Sequence, residues 1–220
     1  MPFAENGVLD DFNRADNTTS LGANWLNPIE SGYGTLGILT NQAYPLDDFR
    51  DGYWLTPFAA NQEAFVTIPT LDGGIRLYAR LTNPGGASRN CYYIETDSVG
   101  GWFLGRIVNG VVSTAFTPSC FGDTGTGGGL ASGNKLGIEI IRSTISVYRD
   151  TGSGWATAGT NYTTTDTNVP FGGYIGLQAR GVATMRWDDF GGGGIRAGVV
   201  NMDKSLYPKT KLQSAVPVRY

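Results

Sequence analysis

The sequence predicts an all-β domain built as a two-sheet antiparallel sandwich. Glycine accounts for 33 of the 220 residues and aromatic residues for 12% of the chain, a composition typical of short strands joined by tight turns rather than of helices. Short apolar stretches alternate with turn-forming residues, and two sheets closed over one core would bury one face of each such strand. No alternation of strand and helix patterns favours a parallel α/β fold.

Period-two alternation identifies the strands. It is clearest in GIRLYARL (74–81), where Leu77 is expected to face the core, together with Ile75, Ala79 and Leu81, and Arg76, Tyr78 and Arg80 to face outward. Asn109-Gly110 lies between two apolar stretches and favours a type I′ hairpin, because both turn positions need positive φ. Further strands are predicted at 63–68, 91–97, 101–108, 111–117, 135–141, 144–149, 173–179 and 184–190, with weaker candidates at 34–39 and 52–55.

The chain divides into a predicted sandwich, residues 1–190, and a C-terminal region, residues 191–220. The sandwich carries 11 Lys+Arg against 18 Asp+Glu, a net charge of −7, whereas the C-terminal region carries five basic residues and one acidic residue, a net charge of +4. GGGG at 191–194 favours a hinge, and GDTGTGGGLASGN at 122–134 a flexible loop. The predicted assembly arm comprises Arg196, Lys204, Tyr207, Lys209, Lys211 and Arg219.

Apolar and basic residues interleaved after a glycine hinge favour an extended arm that crosses a neighbouring subunit with an acidic surface. The alternative is a disordered end, because such a segment buries too little apolar surface to fold alone. We expect the arm to be the element that assembles copies of this chain, or this chain with a different partner.

Composition also limits the chemistry. The chain has no histidine, which removes Ser/His/Asp and Cys/His catalysis and most zinc sites. The two cysteines, Cys91 and Cys120, are expected to be free thiols at opposite ends of a strand meander. No apolar stretch reaches the roughly 20 residues of a membrane span, no signal peptide is recognisable, and the acidic body disfavours nucleic-acid binding.

Several motifs occur in a fixed order: DDFNRAD, SLGANW, KLGIEIIRSTISVYRD, GGYIGLQA and MRWDDF. Over residues 8–190 the chain resembles the concanavalin A-like lectin/glucanase (laminin G-like) jelly roll, in the form found in bacteriophage minor tail and head-decoration proteins. The resemblance implies a virion protein assembled in the host cytoplasm, with other virion proteins and copies of itself as partners. A minor tail protein at the tail tip or fibre is the leading interpretation; a head-decoration protein, and a lectin or degenerate glucanase, are the alternatives.

In that family the N-terminal segment and the last strand lie together at the edge of the sandwich. This would bring Asp10 and Asp11 close to Asp188 and Asp189. We interpret the DDFNRAD segment as scaffold, with Phe12 and Trp25 buried and an Asx-type turn at Asp16 or Asn17. The alternative is that the four aspartates hold a structural calcium ion; no other cofactor is expected.

Catalysis is not expected. Retaining glucanases of this fold carry three carboxylates in an E-x-D-x-E or E-x-D-x-x-E pattern on one strand. Here Glu95 and Asp97 are followed by Val99 and Gly100 in place of the third carboxylate.

Glycan binding is the functional alternative for the central strands. Aromatic rings beside hydrogen-bonding side chains suit sugar rings, so a contact with host surface glycans is possible on one outward face. The same residues would also serve as cross-strand pairs or as a face buried against a neighbouring subunit. The candidate residues are Tyr78 with Arg76 and Arg80, Tyr93 with Glu95, and Trp102 with Arg106.

Overall fold

The computed structural model describes residues 3–123, 128–180 and 184–196. Within these residues the chain is all-β, and its strands form two antiparallel sheets packed face to face, as predicted. One short parallel pairing, between two strands at the edge of the second sheet, departs from this pattern. No helix long and apolar enough to cross a membrane occurs in the described part of the chain.

The first sheet has the strand order β15-β14-β13-β7-β18-β5-β4, with β1 beside β18 and β16 beside β14. Its long central pair joins β7 to β18, so the last strand lies in the middle of the sheet and not at the sandwich edge, where the resemblance placed it. The strands are β1 (Val8–Asp10), β4 (Gly37–Leu39), β5 (Gln42–Tyr44), β7 (Gln62–Thr70), β13 (Lys135–Ile141), β14 (Thr144–Asp150), β15 (Trp155–Thr157), β16 (Thr163–Thr165) and β18 (Arg186–Gly194).

The second sheet has the order β11-β10-β9-β8-β17-β6-β2, with β12 beside β10 and β3 beside β6. The meander β9-β10-β11 and its Asn109-Gly110 turn are confirmed, and both turn residues have positive φ. The strands are β2 (Trp25–Leu26), β3 (Gly34–Thr35), β6 (Arg50–Trp54), β8 (Gly74–Thr82), β9 (Asn90–Thr96), β10 (Trp102–Val108), β11 (Val111–Ser113), β12 (Phe121–Gly122) and β17 (Tyr174–Arg180).

The facing sides of the two sheets form the main hydrophobic core. Strand β8 contributes Ile75, Leu77 and Ala79, and β18 contributes Trp187 and Phe190. All five side chains are fully buried. Burial of apolar area on this scale is the main favourable term in folding.

A second apolar cluster lies on the outer side of the second sheet, away from the main core. It contains Tyr78, Leu81 and Tyr93 from the sheet, and it is covered by Ile29, which is also fully buried. Ile29 belongs to residues 27–34, which we call the covering segment. This segment leaves β2, crosses the outer face so that the Ile29 carbonyl accepts a hydrogen bond from Gly85 N, and returns to the sheet edge at β3.

Strand β8 departs from simple alternation at Arg80. Its φ is +50°, and the pairing with β9 shifts between Ala79 and Thr82. This bulge turns Arg80 inward and Leu81 outward. Leu81 was predicted to face the main core, but it packs in the outer cluster.

The predicted glycine hinge at 191–194 is wrong. These residues are the end of β18 and pair with β7 from Phe65 to Gln62. A side chain at Gly191 would overlap the Phe65 ring, so glycine is needed here for close packing rather than for mobility. The ordered sandwich therefore extends past residue 190, and most of the predicted arm, residues 197–220, lies outside the described residues.

Two further predictions need adjustment. The strand expected at 111–117 ends at Ser113. In the segment predicted as a flexible loop, residues 124–127 lie outside the described part, whereas Leu130 is buried and its N–H donates to the carbonyl of Gly100. Backbone hydrogen bonding and burial hold the second half of this loop in place.

Both cysteines are free, as predicted, and both are also buried. The thiols are separated by the sheet itself: Cys91 pairs with Ile107 and lies in the outer cluster, whereas Cys120 lies in the main core beside Leu104. Burial raises the pKa of each thiol to about 12. Neither is a reactive thiolate at neutral pH.

Candidate functional site

The DDFNRAD segment is scaffold, as interpreted from the sequence. The Asp10 carboxylate accepts hydrogen bonds from the Phe12 N–H at 2.8 Å, from both Arg14 terminal nitrogens at 2.6 and 2.8 Å, and from Trp25 Nε1 at 2.7 Å. Burial opposes ionisation, but these hydrogen bonds and the Arg14 charge prevail and lower the pKa of Asp10. Phe12 and Trp25 are buried, and Asn17 Oδ1 accepts a turn hydrogen bond from Thr19 N.

Strand pairing places Asp10 opposite Phe190, so the N-terminal segment lies beside the last strand as expected. The pKa of Asp188 is raised, first by burial and then by the charges of Asp189, Asp11 and Asp10. Among the described residues, however, no three acidic or cysteine side chains are arranged to hold a metal ion. The Asp10 carboxylate already accepts four hydrogen bonds, and the described aspartates are not grouped as calcium ligands. Calcium binding by these aspartates stays a prediction.

The outer face of the second sheet brings together four of the residues predicted from the central strands. Arg76 pairs with Glu95 and Tyr78 with Tyr93 on β8 and β9, so all four point to the same side, as alternation predicted. The Arg76 guanidinium lies 4.4 Å from the centroid of the Tyr93 ring. Tyr78 and Tyr93 are nevertheless 0% and 1% exposed, so the prediction that they form an open sugar-stacking platform is wrong: the covering segment and their neighbours occupy that space.

The other three predicted glycan residues lie elsewhere. Trp102 pairs with Thr96 and packs in the main core, where its Nε1 donates to the carbonyl of Gly128 at 2.8 Å. Arg106 lies on the same side of β10 as Trp102 and forms an ion pair with Asp166. Buried Arg80 donates to three backbone carbonyls. Trp102, Arg106 and Arg80 are structural and do not belong to an outward binding face.

An ion-pair network crosses the outer face. Arg76 contacts Glu95 at 2.6 Å and Glu30 at 3.1 Å. Arg89 contacts Glu30 at 3.0 Å, and Arg180 contacts Glu95 at 3.3 Å. The Arg76 side chain is 6% exposed and the Arg180 side chain 35%, so the network runs from a buried centre to a solvent-facing end.

The solvent-facing end adjoins a cleft of about 880 Å³ between the covering segment and the turn before β6. Phe49, 44% exposed, lies 5.2 Å from Tyr33 between ring centroids, with the planes tilted by 51°. Asp48 is exposed beside them. We call this site the aromatic cleft; it is lined by Gly32, Tyr33, Gly34, Leu46, Asp47, Asp48, Phe49 and Arg50.

The aromatic cleft is held in shape by its own contacts. Arg50 donates two hydrogen bonds to the Asp47 carboxylate, at 2.5 and 2.6 Å, and this contact lowers the pKa of Asp47. A Cβ at Gly34 would overlap the Arg50 guanidinium, so a side chain there would displace Arg50 from its present position. Burial, followed by the Glu30 carboxylate, raises the pKa of Tyr33, which ties the cleft to the ion-pair network.

Asp51 fastens the covering segment to the sheet. Its Oδ2 accepts the Glu30 N–H at 2.9 Å, while the carboxyl is fully buried on β6 opposite Gln178. Burial raises the pKa of Asp51 to about 6, against the lowering effect of its backbone hydrogen bonds. A buried carboxyl with few donors favours its neutral form.

Sequence reasoning missed the residues of the aromatic cleft. Tyr33, Phe49 and Arg50 lie in or beside non-periodic segments, where alternation gives no signal. The available signal was local: the turn-forming DDFRDG stretch (47–52) places an aromatic residue among charged ones.

The carboxylates of the glucanase-like pattern are used structurally. Glu95 is paired with Arg76 and Arg180. Asp97 Oδ1 accepts the N–H groups of Val99 and Gly101 and shapes the turn into β10. They therefore do not form the opposed acid and nucleophile pair of a retaining glycosidase.

Comparison with known proteins shows similarity at the level of fold. No family model matches the chain, and no curated protein matches it either. The exoplasmic/lumenal domain of VIP36 in a Ca2+/Man2-bound form is similar with a TM-score of 0.56 at 12% identity, covering 97% of each chain. The CBM2 module of the evolved Dit of Lactobacillus casei BL23 phage J-1 has a TM-score of 0.52 at 15% identity, covering 85% of this chain and 95% of that one.

A prokaryotic β-1,3-1,4-glucanase derived from a mouse hindgut metagenome has a TM-score of 0.51 at 10% identity, covering 84% of this chain and 97% of that one. The similar structures thus include a domain with bound Ca2+ and Man2, a CBM2 module and a glucanase. At these identities the similarity establishes the architecture and not the activity. The chain adopts the concanavalin A-like jelly-roll fold that lectins, carbohydrate-binding modules and glucanases share.

Proposed function

We propose that this chain is a non-enzymatic bacteriophage virion protein of the tail, and that it binds host cell-surface carbohydrate through the aromatic cleft. The observation that carries glycan binding is the exposed Phe49 ring beside Tyr33, flanked by the Asp48 carboxylate. An aromatic face packs against the apolar C–H face of a sugar, and carboxylates accept hydrogen bonds from its hydroxyl groups.

The virion assignment is supported by the order of the N-terminal and C-terminal motifs and by the similarity to the phage J-1 module. The absence of catalysis is supported by the structural use of Glu95 and Asp97. A head-decoration protein remains the competing location. Cryo-electron microscopy of intact particles distinguishes the two, since density for this chain on the capsid would contradict a tail protein.

The glycan proposal is tested by Phe49→Ala in the full chain, with binding to host cell-wall polysaccharide measured by isothermal titration calorimetry. We expect a loss of about tenfold or more in affinity, because the stacking surface is removed. Val99→Ala is the matched control, since Val99 is 72% exposed and lies outside the cleft. Equal affinity of the Phe49→Ala variant and the parent chain would refute this site.

A further inference from the structure

A second pocket lies at the opposite end of the second sheet. The aromatic cleft adjoins Arg50, the first residue of β6. Strand β17 pairs Gln178 with Asp51 of β6 on one side and with Arg76 of β8 on the other. The cleft therefore lies near the end of the sheet at which β8 begins. The second pocket adjoins Thr82, the last residue of β8. Eight steps of ~3.3 Å each, from Gly74 to Thr82 along β8, separate these ends by about 26 Å.

This pocket, which we call the amide pocket, has a volume of about 240 Å³ and is smaller than the roughly 300–1,000 Å³ typical of sites for drug-sized ligands. It therefore suits one ring rather than a chain of rings. Its lining, as far as the chain is described, carries no charged side chain. The lining residues are Thr82, Asn90, Val108, Asn109, Asn168, Val169, Pro170 and Phe171.

Phe171 stands at the rim of the amide pocket with 73% of its surface exposed. The exposed ring lies beside a concave polar site, where it can stack on the apolar face of a ligand. Its ring offers a stacking face, while the side-chain amide of Asn109 and Oδ1 of Asn168 have no hydrogen-bond partner among the described residues. One apolar face, the free side-chain amide of Asn109 and the free amide oxygen of Asn168 match the two sides of a neutral sugar ring.

The amide pocket is preorganised from below. Asp166 accepts hydrogen bonds from Tyr92 Oη at 2.6 Å, from Asn168 N at 2.8 Å and from Asn168 Nδ2 at 2.9 Å. Val169 is held on both sides, its N–H donating to Tyr92 Oη at 3.1 Å and its carbonyl accepting from Arg80 Nη1 at 2.8 Å. The loop that carries Asn168 and Phe171 is thus fixed by the buried core, which lowers the entropic cost of binding.

The opposite wall is fixed as well. Asn90 Oδ1 accepts the Asn109 N–H at 2.8 Å, and Asn90 Nδ2 donates to Ser88 O and, weakly, to Thr82 Oγ1. This leaves the Asn109 side chain, which the hairpin turn presents with φ +49°, free for a ligand.

We infer that the amide pocket is a second carbohydrate site, which binds a single neutral hexose or N-acetylhexosamine residue by stacking on Phe171 and hydrogen bonding to Asn109 and Asn168. It shares no residue with the aromatic cleft and does not depend on the proposed function of that cleft. Two sites about 26 Å apart allow one copy of the chain to hold two points on a host polysaccharide, which increases avidity without any new contact.

The test is titration of the full-length protein with glucose, galactose, mannose, N-acetylglucosamine and glucuronate, followed by ¹H–¹⁵N NMR of the side-chain amides. We expect a neutral sugar to bind with a dissociation constant of about 1 mM and to shift the amide signals of Asn109 and Asn168. Glucuronate is expected to bind more weakly, because no cation lines the pocket.

Phe171→Ala and Asn109→Gly should each weaken this binding by about tenfold, and Phe49→Ala should leave it unchanged. Glycine at position 109 retains the positive φ of the turn, and Phe171 is exposed, so both variants should fold. The inference is overturned if no neutral sugar shifts these amides at 50-fold the expected dissociation constant, about 50 mM, or if Phe49→Ala alone abolishes binding. The latter result would leave the aromatic cleft intact as the proposed site.

Discussion

Arg76 and Leu77 are neighbours on β8, and their side chains point to opposite faces of the second sheet, yet both are buried, at 5% and 0% exposure. Leu77 packs in the main core between the sheets. Arg76 lies on the outer face, where it is paired with Glu30 and Glu95 beneath the covering segment. The inner face is held by apolar packing, which depends on shape and volume. The outer face combines a smaller apolar cluster with charges, which need exact partners.

The largest expected effect breaks the outer face. Arg76→Gln should lower the free energy of unfolding by about 4 kcal/mol, because it removes the most buried cation of the network. Glu30 then keeps only Arg89, and Glu95 keeps only the partly exposed Arg180. Leu77→Ala is the matched comparison on the inner face and should cost about 3 kcal/mol through lost burial and cavity formation. Chemical denaturation of both variants gives these values. An Arg76→Gln effect below 1 kcal/mol would show that the network contributes little and that the covering segment alone holds this face.

The second prediction concerns pH. The folded-state pKa of Asp51, about 6, lies above its ordinary value of 3.8. The contribution of Asp51 to stability is therefore fully present below pH 3.8 and is lost as the pH rises through 6, because deprotonation places a charge in a buried position. Between pH 4 and pH 7 this loss should amount to about 2 kcal/mol.

Asp51→Asn is the reference for this prediction, since an amide of the same shape does not titrate. The difference in unfolding free energy between parent and variant, measured at pH 4 and pH 7, isolates the Asp51 term from the other carboxyl groups. The expected result is that the parent loses stability relative to the variant as the pH rises. An unchanged difference would mean that Asp51 titrates near its ordinary pKa and that its burial is relieved by solvent.

The comparison of the two faces explains which parts of the structure were predictable. Alternation placed Arg76 and Glu95 on the outer face correctly, because the period of two is fixed by the strand backbone. Alternation gave the wrong face for Trp102. Which side chains of β10 point inward depends on the turn at 97–101, because that turn sets the register of β10 against β9. Alternation failed at Arg80 because a bulge reverses it.

Burial of the outer face was not predictable from the strands. It depends on Ile29 and Glu30, which are separated by about 50 residues from the side chains they cover and show no periodic pattern. The same limitation hid the aromatic cleft, since Phe49 lies in a turn whose position relative to Tyr33 is set by the return of the covering segment to the sheet edge. Scaffold positions such as Phe12 and Trp25 were predictable because large apolar residues in a β domain are seldom left exposed.

The smallest expected effect sharpens the comparison within the outer face itself. Arg180 contacts the same Glu95 carboxylate as Arg76, but at 3.3 Å and with 35% of its side chain exposed. In that position, solvent screens the charge and the long side chain loses entropy when it is held in place. Arg180→Gln should therefore lower the unfolding free energy by less than about 1 kcal/mol, and the effect should shrink further in high salt. Denaturation at low and high salt measures both quantities. A salt-independent loss as large as that of Arg76→Gln would contradict this prediction. It would place Arg180 in the buried centre of the network, and the buried part of the outer face would then extend to the rim of the aromatic cleft.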